Sequence, residues 1–250
     1  HFELGGKSAN IIFDDADFDR AVDGSLVNIF SNSGQICIAG SRILVERGIA
    51  ARFVETFVKR TQALKVGDPL DPATEVGPMA FKTHWQRVLD HIEKAKLEGA
   101  TLLCGGEPLT KLGDGYFVAP TVFQVNSNRL SLCQEEVFGP VVSIQIFDED
   151  EEAFSLANDS RFGLVGYCWT NSLARSQAFR QKVDAGTLWV NTPLARDLRA
   201  PFGGFKESGI GRDGPRQAAE FFTEEKATIT AIDKVPIRKM GETTNTDAGK

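Results

Sequence analysis

The chain has 250 residues and a formal net charge of −6, with 42% hydrophobic and 25% charged residues. That balance suits a globular protein with a sizeable core, in one large domain or two small ones. The acidic balance leaves no basic surplus to pair with phosphates and excludes a nucleic-acid partner, and no apolar stretch nears the ~20 residues of a membrane span.

The chain opens on His1-Phe2-Glu3-Leu4-Gly5-Gly6, without a methionine or a charged-then-apolar leader. It reads as sequence from inside a longer protein, so a fragment is expected. Asp14 and Asp15 can cap a helix in which Phe18, Val22, Leu26 and Ile29 recur at helical spacing, ending near Gly34. Arg42–Glu46 reads as a strand. Ile49, Phe53 and Phe57, with Val54 and Val58, mark the next helix. "GDPLDPATEVGPM" is a loop rich in Pro, Gly and Asp.

Trp85, Val88, Leu89 and Ile92 mark another helix, which also carries His84 and His91 seven residues apart on one face, expected partly exposed. "ATLLCGG" is a strand ending in glycines, and "PVVSIQIF" has the unbroken apolar character of a strand buried in a parallel sheet. Glu151–Asn158 and Ser172–Val183 read as helices, with "GYCWT" and "TLWVN" as strands beside them. The alternation predicts an open α/β sheet. Lys226–Ile232 (KATITAI) alternates polar and apolar residues, as an edge strand or an arm that pairs with another subunit would. Beyond Asp233 the polar composition predicts a disordered tail.

The four cysteines, Cys37, Cys104, Cys133 and Cys168, lack C-x-x-C spacing. Neither a zinc site nor a disulfide framework is expected, and reduced thiols in a cytoplasm are. "GIGRDG" (Gly209 to Gly214) matches the dinucleotide fingerprint G-x-G-x-x-G. The loop-like "PFGGFKES" precedes it and Pro215 follows at once, so the match is rejected in favour of a loop packed close to another backbone.

Four stretches remain as candidate chemistry: "ELGGK" (Glu3 to Lys7), "GQICIAGSR" around Cys37, "EEVFGP" (Glu135 to Pro140), and "WVN" (Trp189–Asn191) leading into "PFGGFKESGIGR" (Pro201 to Arg212). Singly, each has a plain structural reading: a turn residue, a buried small thiol, a helix end, a loop. Together and in this order, essentially as far as Ile232, they resemble the aldehyde dehydrogenase superfamily. The spacing of 34 residues from Glu3 to Cys37 (37 − 3) is also the family's.

The resemblance implies an open, mostly parallel twisted sheet with helices on both faces, plus a C-terminal edge or oligomerisation strand. Residues 1–15 would close a cofactor domain and carry the base, 16–222 form the catalytic domain, 223–232 the oligomerisation strand and 233–250 the tail. It implies oxidation of an aldehyde with NAD or NADP, the chain lacking most of the cofactor domain, and a homodimer or homotetramer with no metal, membrane or nucleic acid.

By the same resemblance Cys37 is the nucleophile, whose attack divides a difficult oxidation into thiohemiacetal and thioester stages. Its small neighbours leave room for aldehyde and nicotinamide to converge on the sulfur. Glu3 is the base for the hydrolytic water. An ordinary glutamate, of pKa about 4.3, is a weak base unless an apolar pocket raises it. Gly5 and Gly6 give its side chain freedom to swing. Glu136 would hold the nicotinamide ribose hydroxyls and Phe138 pack beside them. Asn191 would brace the site, or simply cap a strand. Asp213 stands where many members carry a longer glutamate that relays protons.

The loop "NTPLARDLRAPFGG" would wall the aldehyde tunnel with Phe202. Its "RDLR" resembles semialdehyde dehydrogenases of aromatic ring cleavage, hydroxymuconic semialdehyde dehydrogenases among them. Arg196, with Arg199 in reserve, would then grip a substrate carboxylate, unless Arg196, Asp197 and Arg199 merely pair at the surface. The alternatives are a CoA-acylating aldehyde dehydrogenase, a cysteine hydrolase, and an inactive truncated domain that only folds and oligomerises.

Overall fold

The computed structural model describes residues 1–241. A two-residue strand, β1 (Phe2–Glu3), precedes β2 (Ala9–Ile12), whose four residues are all buried. Asp17, not Asp14 or Asp15, caps α1 (Phe18–Phe30): its carboxylate accepts the Arg20 N–H. Asp14 turns instead to Arg175 at 2.9 Å, a guanidinium being a stronger partner for a carboxylate than a neutral amide, and Asp15 accepts the Thr170 hydroxyl at 2.7 Å with Arg175 at 3.5 Å. A 3₁₀ turn over Ser31–Gly34 follows, then β3 (Arg42–Glu46) and α2 (Arg47–Gln62).

A long connection, rich in proline and glycine, leads to α3 (Lys82–Leu97). The chain continues through β4 (Thr101–Cys104), β5 (Thr121–Gln124), the short α4 (Ser131–Gln134), β6 (Val141–Phe147) and α5 (Asp150–Asn158). β7 (Phe162–Gly163), β8 (Val165–Trp169), α6 (Leu173–Lys182) and β9 (Thr187–Val190) come next. Two short strands, β10 (Phe205–Lys206) and β11 (Gly209–Ile210), precede α7 (Pro215–Phe222).

Seven strands form one sheet in the order β4-β5-β6-β3-β2-β8-β9. Every neighbouring pair is parallel except β4 with β5. At the centre Ile11 stands between Leu44 of β3 and Cys168 of β8. Side chains alternate across the pleat, so each strand feeds two cores. Ile12, Ile43, Val45, Val142 and Ile144 pack with α1 and α2 on one face. Ile11, Leu44 and Phe147 pack with α5 and α6 on the other. The central strands are thus apolar on both sides, as parallel strands under helices must be.

α3 buries His84, Val88, Ile92 and Ala95. His84 is therefore on the inward stripe, against the expectation of partial exposure, because the stripe is centred on 84, 88, 92 and 95, with Trp85 and Leu89 packed at its margin. His91 is half-buried. Among the described residues the KATITAI segment forms no strand. Lys226–Ile232 is exposed throughout, with Ile229 and Ile232 each 97% accessible, so the edge-strand reading gives way to an arm without a strand partner among the described residues. Residues 233–241 carry no helix or strand, and the remainder of the expected tail lies outside the described residues. Among the described residues no helix is long and apolar enough to cross a membrane.

Candidate active site

Open parallel sheets usually bind ligands beyond the carboxyl ends of their strands. Here three of the candidate residues gather at the opposite edge, while Asn191, just after β9, stands at the carboxyl ends of β8 and β9. Glu3, Cys37 and Glu136 precede β2, β3 and β6, three adjacent parallel strands, by a few residues each.

The turn that presents Cys37 is built from its approach. Asn32, Ser33 and Gly34 adopt left-handed backbone angles in succession, with φ of 51°, 57° and 71°. Left-handed residues cost roughly 1–2 kcal/mol each unless glycine or locally bonded. Asn32 is bonded so: its side-chain amide donates to the Gln35 carbonyl at 2.9 Å. Gly34 has no alternative, since a Cβ there would overlap the Gly139 carbonyl. A tight turn then closes from the Ala39 N–H to the Ile36 carbonyl at 3.0 Å, with Cys37 and Ile38 at its tip. Tyr167 holds the turn from below, its hydroxyl donating to the Ile38 carbonyl at 2.8 Å and its ring stacked on Trp189.

Cys37 is half-buried, and burial followed by the negative charges of Glu136 and Glu3 pushes its thiol pKa up. The backbone N–H groups of Ile38 and Cys37 oppose that rise by favouring negative charge on the sulfur. Glu3 is likewise raised, by burial first and then by Asp213, while Arg212 and Arg196 pull it back. Glu136 is raised by burial against a hydrogen bond from the Gly6 N–H at 3.0 Å and the charge of Lys7. Lys7 is itself fully buried, and burial brings its ammonium down to about 8.

Phe138 sits at φ 56°. His84 fixes it there, its Nε2 lying 2.7 Å from the Phe138 carbonyl. Together with Gln35, Phe81, His84 and Glu136, Phe138 lines an open cavity of about 650 Å³.

The C-terminal segment folds back over the site. β11 pairs antiparallel with β1, setting Glu3 opposite Gly209, where a Cβ would overlap the Phe2 carbonyl. Of the "GIGRDG" glycines, Gly209 therefore does shape a close backbone approach. Phe202 and Asp213 exchange backbone hydrogen bonds of 2.7 and 2.6 Å. Phe202 and Leu194 pack in one cluster with Cys37, Tyr167 and Trp189.

A second cavity, of about 680 Å³, is walled by Trp189, Arg196, Asp197, Leu198, Phe202 and Asp213 among others. Arg196 is exposed and lies over the Phe202 ring at 5.2 Å. Arg199 is bound to Asp197 by two side-chain hydrogen bonds, at 2.9 and 2.7 Å, so the surface-pair reading fits Arg199 and leaves Arg196 outside it. Asn191 clamps Thr170 at the end of β8 through both amide atoms, at 3.0 and 2.7 Å. These contacts are those of a strand-end brace.

The aldehyde dehydrogenase family matches residues 1–228 of the chain. The chain is 43% identical over 234 residues to a betaine aldehyde dehydrogenase of Rhizobium etli, covering 93% of this chain and 48% of that protein. The chain belongs to the aldehyde dehydrogenase family. Its fold is also similar to HpcC from Thermus thermophilus, with a TM-score of 0.89, 42% identity, and coverage of 96% of this chain and 48% of that one. A betaine aldehyde dehydrogenase from Staphylococcus aureus, solved in complex with NAD+, aligns with a TM-score of 0.85 and 41% identity over 88% of this chain and 44% of its own. The chain thus spans about half the length of the relatives it matches.

Within this aldehyde dehydrogenase chain, Gly5 and Gly6 differ in what they permit. A Cβ on Gly6 would overlap the backbone carbonyl of Cys37, whereas one on Gly5 would meet only the carboxylate tip of Glu136. A side-chain tip can turn away and a tethered backbone cannot. Gly6→Ala is expected to cost about 1–3 kcal/mol and lower the melting temperature by roughly 2–12 °C, and to alter the alkylation rate of Cys37. Gly5→Ala is expected to melt close to the parent. Calorimetric melting of the two variants side by side checks this.

Proposed function

We propose that this chain carries the chemical half of an NAD(P)+-dependent aldehyde dehydrogenase. The observation that carries the reading is one half-buried thiol, with backbone N–H groups aimed at its sulfur, under the charge of carboxylates from two other strand ends.

The Cys37 thiolate, favoured by those backbone amides, adds to the aldehyde carbon. A nicotinamide held beside Glu136 and Phe138 would supply the hydride acceptor through which the thiohemiacetal becomes a thioester on Cys37. Glu3, its pKa raised by burial and Asp213, takes a proton from the water that attacks this thioester. Collapse releases the acid and restores the sulfur. The residues fit the nicotinamide end of the cofactor: the Glu136 carboxylate accepts hydrogen bonds from a ribose diol, and Phe138 offers an aromatic edge in the same cavity.

A CoA-acylating enzyme would have no use for a raised carboxylate at Glu3. A cysteine hydrolase needs an imidazole on Cys37, and His84, His91 and His1 are engaged with Phe138, Glu135 and the pair Asp213 and Glu3 instead. The exposed arm Lys226–Ile232, with Ile229 and Ile232 bare, supports a homo-oligomer.

Arg196 in the tunnel wall favours a carboxylate-bearing semialdehyde. Because Arg196 is exposed, its contact is worth about 0–1 kcal/mol, or up to roughly fivefold, less than a buried pair would give. A second reading follows from the relatives named for betaine aldehyde: that substrate is a quaternary ammonium, which Arg196 repels. The test is aldehyde-dependent NADH formation by the active polypeptide carrying this chain. A semialdehyde is expected to exceed a neutral aldehyde of equal size in kcat/KM, and Arg196→Leu to erase the margin. Preference for betaine aldehyde would select the second reading.

A further inference from the structure

His1 stands two residues before Glu3 on an extended segment, so both side chains leave the same face. Its Nε2 lies 3.6 Å from a Glu3 carboxylate oxygen and its Nδ1 lies 3.2 Å from an Asp213 carboxylate oxygen. One imidazole nitrogen and one oxygen from each carboxylate all fall within 4.8 Å of one another. The imidazole is seated, not adrift: 17% of its side chain is exposed, Phe221 of α7 meets it edge-on at 6.2 Å, and a Cβ on Gly211 would crowd its Cδ2.

Asp213 is reached from His1 because it exchanges backbone bonds with Phe202 just past β11, the strand that pairs with β1. The charged groups acting here are Glu3 and Asp213, with Arg212 and Arg196 acting on Glu3 from the neighbouring loops. The Asp213 side chain is 60% exposed and opens the array to solvent.

We propose that His1 relays the proton of the hydrolytic water from Glu3 to Asp213 and on to bulk solvent. The inference rests on Glu3 being the base for thioester hydrolysis. The Glu3 and Asp213 carboxylates lie within 4.8 Å of each other, and the imidazole is the group in reach of both. Water adds to the thioester carbonyl and its proton passes to Glu3. A small rotation of Glu3 closes the 3.6 Å separation, and the proton moves to His1 Nε2. The Nδ1 proton then moves to Asp213, which releases it to water. The C–S bond breaks, the sulfur leaves as thiolate, and the product departs as the acid. No redox equivalent is needed in this half-reaction. His1 touches no reacting atom, so it is a relay group and not a catalytic residue in the strict sense.

The test compares His1→Ala, His1→Gln, Asp213→Asn and Glu3→Gln in the active polypeptide, reading the NADH burst, steady-state kcat, KM and rescue by free imidazole. For His1→Ala an intact burst and unchanged KM are expected, with kcat reduced roughly tenfold, less than the 100- to 10,000-fold typical of losing a general base. Imidazole should restore most of that kcat in His1→Ala, and should not in Glu3→Gln. His1→Gln and Asp213→Asn should fall with His1→Ala. Unchanged kcat in His1→Ala overturns the relay, as does a fall that imidazole leaves in place or that reduces the burst equally, since both describe a structural role. If Glu3→Gln itself turns over normally, the reading of Glu3 as base fails, and the relay with it. A stalled Glu3→Gln beside a normal His1→Ala defeats the relay alone.

Discussion

Cys37→Ala is expected to abolish aldehyde oxidation, while Cys104→Ala and Cys168→Ala keep most of it. The four thiols differ in what surrounds them. Cys104, Cys133 and Cys168 are buried, and burial raises all three, Cys168 to about 12. A protonated, enclosed thiol is a poor nucleophile. Cys37 is the one at a turn tip, half-buried, with two backbone N–H groups favouring its thiolate. Removing a nucleophile that acts in concert with its neighbours costs on the order of a millionfold.

The same electrostatics predict a companion effect. Glu136 and Glu3 both oppose ionisation of Cys37, so Glu136→Gln is expected to lower its pKa and speed its alkylation near pH 7. Rates of iodoacetamide labelling against pH, with NADH formation by each alanine variant, measure both. An active Cys37→Ala enzyme would sink the assignment.

Much of the architecture was legible because it rests on periodicity. The helical recurrence of Phe53 and Phe57 and the apolar run of β6 depend on neighbours in sequence alone, and both elements formed as expected. β2 and β5 left weaker signals. "ANII" and "TVFQ" are four-residue apolar runs, and periodicity cannot separate so short a strand from a buried helix turn.

The residues proposed as nucleophile and base were singled out by linked motifs, but what shapes their surroundings was not visible. Three successive left-handed residues before Cys37 include an asparagine and a serine, which rarely announce that conformation. Arg42 contradicts the rule that charged residues stay outside. It is buried because Lys7, Asn128, Leu156 and Ala157 supply oxygen acceptors from distant parts of the chain. His84 and His1 matched no motif, because their partners Phe138 and Asp213 lie 54 and 212 positions away (138 − 84, 213 − 1). Sequence reasoning sees residue types and spacings; it does not see which loops the sheet edge brings together.

Glu3→Gln is expected to leave acylation intact and to stop turnover with a thioester on Cys37. Glutamine keeps the size of the side chain and its place opposite Gly209 on β1, so access to Cys37 is unchanged. It also removes one of the negative charges that oppose the thiolate, so the burst of NADH should appear at least as fast as in the parent. What glutamine cannot do is accept a proton from water. The carboxylate of Glu3 is suited to that task because burial and Asp213 raise its pKa, and the opposing charges of Arg212 and Arg196 do not cancel the rise. A base closer to the working pH holds a proton longer in the transition state and contributes roughly 100- to 10,000-fold. In the parent enzyme the sign of the effect is set by that raised value: deacylation should weaken as pH falls through the Glu3 pKa, at a higher pH than an ordinary glutamate would give. The Gln variant should lose this acid limb altogether, its residual rate rising only as hydroxide becomes available. Intact-mass measurement after one turnover should find an acyl group on the peptide holding Cys37, removable by hydroxylamine. A burst without an adduct, or a steady state equal to the parent's, would show that water is activated by some other group.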